Sequence, residues 1–278
     1  MERKSSAKRR VIPGFGLSMG ITLTFLSLIV LIPMSSIVVQ TSKLGWSGFL
    51  AVVASPRVLA GYRVSFLCSL YASLINCVLG VILAWVLVRY RFPGRRILDG
   101  LIELPFALPT AVAGISLTAL YTNKGLIGQY LAHIGIKVSY TWLGIVTAMV
   151  FVGLPFVVRS IQPVLEQFDP AYEEAAHMLG ARRHVAFFRV VFPEIFPAML
   201  TGFGMAFARD LGEYGSVVFI AGNKPFSTEV APLLIMSQLQ QFNYAGATGI
   251  ALVMLVVSFV ILFLLNLIQS YAHRFVKD

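Results

Sequence analysis

Apolar residues in this chain do not alternate with polar ones at the period of a half-buried strand, nor form the narrow stripe of a soluble surface helix. They come in six long blocks with short polar stretches between them. A helix needs about 20 mostly apolar residues to cross the hydrocarbon of a bilayer, because each backbone polar group must be satisfied within the segment. The pattern therefore predicts spans over residues 17–39, 64–88, 101–121, 138–158, 195–221 and 245–269. Two of these are irregular. The third is interrupted by Pro105 and Pro109, and the fifth carries Arg209, Asp210 and Glu213.

Composition agrees: of 278 residues, 58% are hydrophobic and 12% charged, which is too little polar surface for an ordinary soluble domain. Apolar runs recur along the whole chain without a long polar tract, so one domain over residues 1–278 is expected: an all-α integral membrane helical bundle. The formal charge of +10 would suggest nucleic acid in a soluble protein. Here the basic residues are clustered between apolar blocks, so membrane lipid is the expected environment and no nucleic-acid partner is expected.

Orientation follows from those clusters. The N-terminus holds five Lys and Arg, the second and fourth connections four each and the C-terminus two. Against these fifteen, the other side holds six: Lys43, Arg57, Arg63, Lys124, Lys137 and Lys224. The positive-inside rule puts both termini in the cytoplasm. On the outer side Glu229 is the sole carboxylate, so that face should mildly attract anions. The first block is too long for a signal-peptide core and has no Ala-x-Ala exit, so it reads as a retained anchor.

Several chemistries find no support. The chain has no Gly-x4-Gly-Lys-Ser/Thr and no Gly-Lys pair, so it cannot build a standard P-loop, and no ATP, cofactor or metal is expected on it. The four histidines (His133, His177, His184, His273) lack metal-ligand spacing. Cys68 and Cys77 lie nine helical residues apart, about 13.5 Å of rise, too far for a bridge within one helix. No convergent catalytic set is apparent, so the chain is not expected to be an enzyme. An ion-coupled carrier would keep unpaired carboxylates in several spans, whereas only the fifth has them.

The fourth connection, residues 159–194, is not loop-like. Asp169 and Pro170 offer a cap and a first-turn proline, Ala171 to Leu179 favours helix, and Gly180 offers a left-handed stop. Tyr172, Ala175, Ala176 and Leu179 share a face flanked by Glu173 and Glu174, a shape that either seats in a partner's groove or lies on the membrane surface. A basic helical piece over residues 182–189 follows, and Pro193 opens the fifth span.

Glu174-Ala175-Ala176, then Gly180 four residues on, then Val190-x-Phe192-Pro193, resembles the E-A-A-x3-G-x9-I-x-L-P loop of ABC importer permeases, with Val and Phe for the usual Ile and Leu. Residues 104–114 (LPFALPTAVAG) and 209–215 (RDLGEYG), running on to Asn223, are similar to the sulfate and molybdate class of those permeases, in particular to the CysT type of sulfate/thiosulfate importers. The resemblance implies a multi-pass inner-membrane subunit that translocates sulfate or thiosulfate, with molybdate or tungstate as the alternative cargo. It also implies a homologous CysW-type permease, two cytoplasmic ABC ATPases that bind the ATP and Mg, and a periplasmic sulfate/thiosulfate-binding protein. By that resemblance Glu173, Glu174, Ala175, Ala176, Gly180 and Pro193 belong to the ATPase-coupling loop. Pro109, Thr110, Gly114, Arg209, Asp210, Glu213 and Asn223 are candidates for the path or gate. Arg209 either offers its guanidinium to an anion in transit or, with Glu213, ties helices together at an interface or gate.

Overall fold

A computed structural model describes the backbone of residues 15–277 and the side chains of residues 15–268. The N-terminal basic cluster from Arg3 to Arg10, and the side chains of His273, Arg274 and Lys277, lie outside the described residues.

Every regular element among the described residues is helical. In chain order they are α1 (Phe15–Ser42), α2 (Gly45–Val53), α3 (Pro56–Arg89), α4 (Arg95–Ala107), α5 (Thr110–Tyr121) and α6 (Gly128–His133). There follow α7 (Trp142–Gln167), α8 (Ala171–Met178), α9 (Arg183–Leu211), α10 (Val217–Ile220), α11 (Ala231–Gln240) and α12 (Tyr244–Lys277). Helices α1, α3, α7, α9 and α12 are long and apolar enough to cross a membrane, and the bent pair α4–α5 is a sixth candidate.

The core is the triple contact of α3, α7 and α9. Small residues make it possible: Ser65, Ser69, Ala72, Ser73, Asn76, Gly80 and Ala84 of α3 are buried and recur every three or four positions. Tyr62 and Leu87 of the same helix are buried too, but many of its bulky residues, among them Tyr71, Leu74, Val78 and Ile82, are exposed. This inverts the soluble pattern, since lipid already solvates Leu and Val, and association rests on close backbone approach. A side chain at Gly80 or at Gly202 would collide with Val157, which both helices pack against. Helix α1 has no buried residue before Thr41 and is peripheral, packing near its end against α12.

Several boundaries differ from the sequence expectation. The second span opens at Pro56 rather than 64, and the fourth runs from Trp142 to Gln167 rather than from 138 to 158, so the connection expected from 159 begins only after Gln167. In the third span Pro105 sits inside α4 without breaking it, and the break falls at Leu108 and Pro109, where the helices turn by 116°. The residue before a proline is pushed out of the helical region, and Leu108 is accordingly extended (φ −85°, ψ 136°). Helix α4 leaves from the arginine-rich turn, and Asp99 and Glu103 pair with Arg159 near the inner end of α7 (2.8 and 2.7 Å). Thus the interrupted span expected over 101–121 is an amphipathic helix followed, after the break at Pro109 and not at Pro105, by a 12-residue helix of about 18 Å.

The fifth span begins earlier than expected, at Arg183, and its helix stops at Leu211 rather than 221. Gly212 ends it, and Glu213 lies beyond its last turn. Pro33 within α1 and Pro193 within α9 are each preceded by a widened π turn, Ser27–Leu31 and Phe187–Val191. The next amide reaches back five residues, a register change that accommodates the missing proline donor one position on. Lastly, the polar middle expected before the sixth span contains a helix of its own, α11, which forms a hairpin with α12.

Candidate functional site

Two places gather the residues singled out above, and they are built differently. The first is the cytoplasmic hairpin. Asp169 Oδ1 accepts the Ala171 N–H (2.9 Å), so the aspartate caps α8 as its position suggested. At the other end Gly180 has φ +84°, its N–H donates to the His177 carbonyl (2.9 Å), and the Ala181 N–H donates to the Ala176 carbonyl (3.0 Å). This paired closure needs a left-handed residue, which only glycine adopts at no cost. None of α8 is buried: Met178 and Leu179 are 89% and 90% exposed, and Ala175 is exposed with them. Such bare apolar area on a capped helix is a surface made to be covered.

Glu173 is an exception among the proposed coupling residues. It pairs with Arg89, whose guanidinium also lies over the rings of Trp85 (5.2 Å) and Phe168 (5.7 Å). Its acid is therefore occupied within this chain, and Glu174 alone of the two is exposed and unpaired among the described residues. Pro193 sits in the first turn of the α-helical part of α9 and sets its start.

The second place lies where α5 meets the turn after α9. Gly114 of α5 is buried so closely against Ser216 that an added Cβ would sit 2.4 Å from the Ser216 carbonyl oxygen. Gly215 faces Thr110 in the same way, with an added Cβ 2.1 Å from Oγ1. Thus Thr110 and Gly114 from the third span and Glu213 from the fifth, 99 residues or more apart in sequence, meet in one place. Pro109 precedes the contact at the α5 N-terminus and is exposed.

Glu213 organises that turn. One carboxylate oxygen takes Arg209 (2.6 Å), and the other accepts both the N–H and the hydroxyl of Ser216 (2.9 Å each). Its side chain is 1% exposed, while that of Arg209 is 38% exposed. Arg209 also stands in the last turn of its helix, where a cation complements the carbonyl end. A buried acid that is fully used thereby fixes a guanidinium that is itself partly exposed.

Asp210 is wholly buried, and neither of its oxygens has a hydrogen-bond partner among the described residues. It lies against Gly153 and Asn76, near the middles of α7 and α3, with the Ser73 hydroxyl beside it but not in hydrogen-bond geometry. In the orientation that satisfies both its groups, the Asn76 amide donates to the Val150 carbonyl (3.1 Å) and accepts from the Leu154 N–H (3.2 Å). Sequence reading did not single out Ser73, Asn76 or Gly153. The available signal was three polar side chains, Ser69, Ser73 and Asn76, on one face of an otherwise apolar span.

Asn223 is not at this cluster. It takes a left-handed conformation (φ 51°), and its amide donates to the Val218 carbonyl (2.9 Å), closing the turn after α10. Beside that turn, at the outer end, a polar cavity of about 520 Å³ is lined by Lys124, Lys137 and Lys224 together with Ser139 and Thr141. None of the three lysines is in an ion pair among the described residues. The outer carboxylate, Glu229, is taken by Arg57 through two hydrogen bonds (2.6 and 2.8 Å).

Residues 76–278 match the family model described as binding-protein-dependent transport system inner membrane component. The chain is 52% identical over 268 residues to the sulfate transport system permease protein CysT of Salmonella typhimurium, covering 96% of this chain and 97% of that one. It is 50% identical to the protein of the same name from Escherichia coli, with the same coverage, and 44% identical to that of Synechocystis over 93% and 90%. Among solved structures it resembles a bacterial ABC transporter involved in import of the acidic polysaccharide alginate (TM-score 0.75, 17% identity, covering 93% of this chain and 96% of that one). The same transporter in complex with its alginate pentasaccharide-bound periplasmic protein gives a TM-score of 0.73 at 19% identity, covering 90% and 92%.

Proposed function

The chain belongs to the family of binding-protein-dependent transport system inner membrane components, multi-pass proteins of the inner membrane, and from that premise we propose that it passes sulfate and thiosulfate inward through the bilayer. The observation that carries the cargo is the identity of 50–52% with sulfate permeases across 96% of the chain. The distribution of charge supports it. The outer end offers three lysines around a polar cavity, and its one acid is neutralised by Arg57, so an anion meets no fixed negative charge there.

In this reading Arg209 is the cation that the anion meets deeper in the chain. Glu213 holds the guanidinium in place, Ser216 holds Glu213, and Gly114 and Gly215 let α5 close on the same turn. A fork fixed in this way matches a tetrahedral oxyanion without the cost of ordering a free side chain. The half-exposed position keeps the contact weak enough for the anion to leave.

Energy comes from outside the chain. Two cytoplasmic ABC ATPases bind ATP and Mg and hydrolyse the ATP, each seating a bare coupling helix of the permease pair, here α8 with Glu174, Ala175 and Ala176. A homologous CysW-type permease completes the pair, and a periplasmic sulfate/thiosulfate-binding protein delivers the anion. The test is uptake of labelled sulfate by cells lacking their own sulfate permeases and expressing this chain with those partners. Uptake should require ATP with the proton gradient intact, and should be competed by thiosulfate more strongly than by molybdate. Uptake that follows the proton gradient, or stronger competition by molybdate, would replace this assignment.

A further inference from the structure

A second cavity, of about 740 Å³, lies at the cytoplasmic end of the bundle, in a groove between the last turns of α3 and the start of α9. Its floor is apolar, made by Val81, Ile82, Trp85 and Phe187, with the Trp85 and Phe187 rings packed edge to face (5.2 Å). Its rim carries two arginines, Arg91 and Arg183, with His184 beside them. No carboxylate lines it, and neither arginine is in an ion pair among the described residues, whereas the neighbouring Arg89 is taken by Glu173. Along α3, Val81 and Arg89 are separated by about 12 Å of rise, roughly the height of a phosphoglycerol headgroup and the first methylenes of its chains. The floor continues into an exposed apolar stripe, Tyr71, Ile75, Val78 and Ile82, that runs toward the middle of the helix.

An apolar trough capped by two arginines, open to lipid and placed at the cytoplasmic interface, is complementary to one kind of molecule: an amphiphile with a negative head and an acyl tail. We propose that this groove is a binding site for an anionic glycerophospholipid of the cytoplasmic leaflet. The phosphate is held by Arg91 and Arg183, and an acyl chain lies along Val81, Ile82 and Trp85. Bound there, the lipid joins the end of α3 to the segment that follows the coupling helix, bracing the piece of chain through which docking force reaches the bundle. The site is independent of the cargo.

Trp85 provides its own reporter. In the full-length chain with Trp46→Phe and Trp142→Phe, Trp85 is the one tryptophan left of three. Its fluorescence in detergent is titrated with phosphatidylglycerol or phosphatidylcholine brominated near the carbonyl end of the acyl chain. Phosphatidylglycerol should quench at about thirtyfold lower concentration, as two interfacial arginines imply. Arg91→Gln with Arg183→Gln should bring the two lipids close to parity. Arg91→Lys with Arg183→Lys should keep most of the preference, which separates lost charge from lost fold. Millimolar inorganic phosphate should not relieve the quenching. Equal quenching by both lipids, a preference that survives the glutamine pair, no quenching by either lipid, or relief by phosphate alone would each overturn the lipid site, the last in favour of a free-anion site.

Discussion

The hairpin around α8 and the turn after α9 carry most of the candidate site residues, and they hold them in opposite ways. In the hairpin, structure is local and the surface is bare. Asp169, Pro170 and Gly180 fix α8 through contacts within a dozen residues, and no residue of α8 is buried. In the turn, structure is long-range and the acid at its centre is fully used. Glu213 spends one oxygen on Arg209 and the other on Ser216, and the backbone of α5 closes on Ser216 at Gly114. A helix that waits for a partner can have its apolar face uncovered at the cytoplasmic surface. An unpaired charge at mid-depth in a membrane costs about 2.5 to 3.5 kcal/mol even on the lenient scale, a cost that Arg209 and Glu213 lower by pairing with each other.

Substitutions should therefore separate the two regions by what they damage. The largest effect should be Glu213→Ala, which leaves Arg209 and both Ser216 donors without their acceptor, for a loss of about 3 to 5 kcal/mol. Thermal denaturation of the purified chain should show it, and an unchanged midpoint would mean that the buried acid does not hold the turn. Next is Gly114→Val, which drives side-chain atoms into the Ser216 backbone at a cost of about 1 to 3 kcal/mol. Because backbone, not a flexible side chain, is in the way, both stability and transport should fall together.

In the hairpin the pattern should reverse. Gly180→Val places a branched residue at φ +84°, at about 1 to 2 kcal/mol, in a segment that the bundle does not lean on. Membrane insertion and the melting midpoint should persist while ATPase co-purification and uptake fall. Wild-type co-purification would remove α8 as the docking helix. The smallest effect should be Glu173→Gln, which breaks the partly exposed pair with Arg89 for about 1 kcal/mol or less, whereas Glu174→Gln should leave stability unchanged and act on docking alone.

How much was legible in advance follows the same division. The cap at Asp169, the stop at Gly180 and the bare face were readable because each depends on neighbours a few residues away. The Arg209–Glu213 pair was readable for the same reason, four residues apart, although the helix end at Leu211 was not, because a charged turn at that depth is stable only with Ser216 and α5 beside it. Pro109 marked the break in the third span but not its 116° angle, which Arg159 fixes by holding Asp99 and Glu103 from another helix. Arg57 with Glu229, 172 residues apart, left no local trace, and the polar face of Ser69, Ser73 and Asn76 did not show that Asp210 and Gly153 would pack beside it. Each is a product of which helices pack, and small residues of α3 decide that at a distance.

Arg209 is the residue in which the two modes meet: it is fixed from below by a buried acid and open on its other side. Labelled sulfate uptake by the assembled transporter carrying Arg209→Gln, with assembly and ATPase binding verified in the same preparation, tests the account most directly. Import should be lost while the complex stays intact, and Arg209→Lys should retain part of it. Sulfate import at the wild-type rate through Arg209→Gln, or loss of import only in step with loss of assembly, would contradict a fixed cation that the anion meets on its way in.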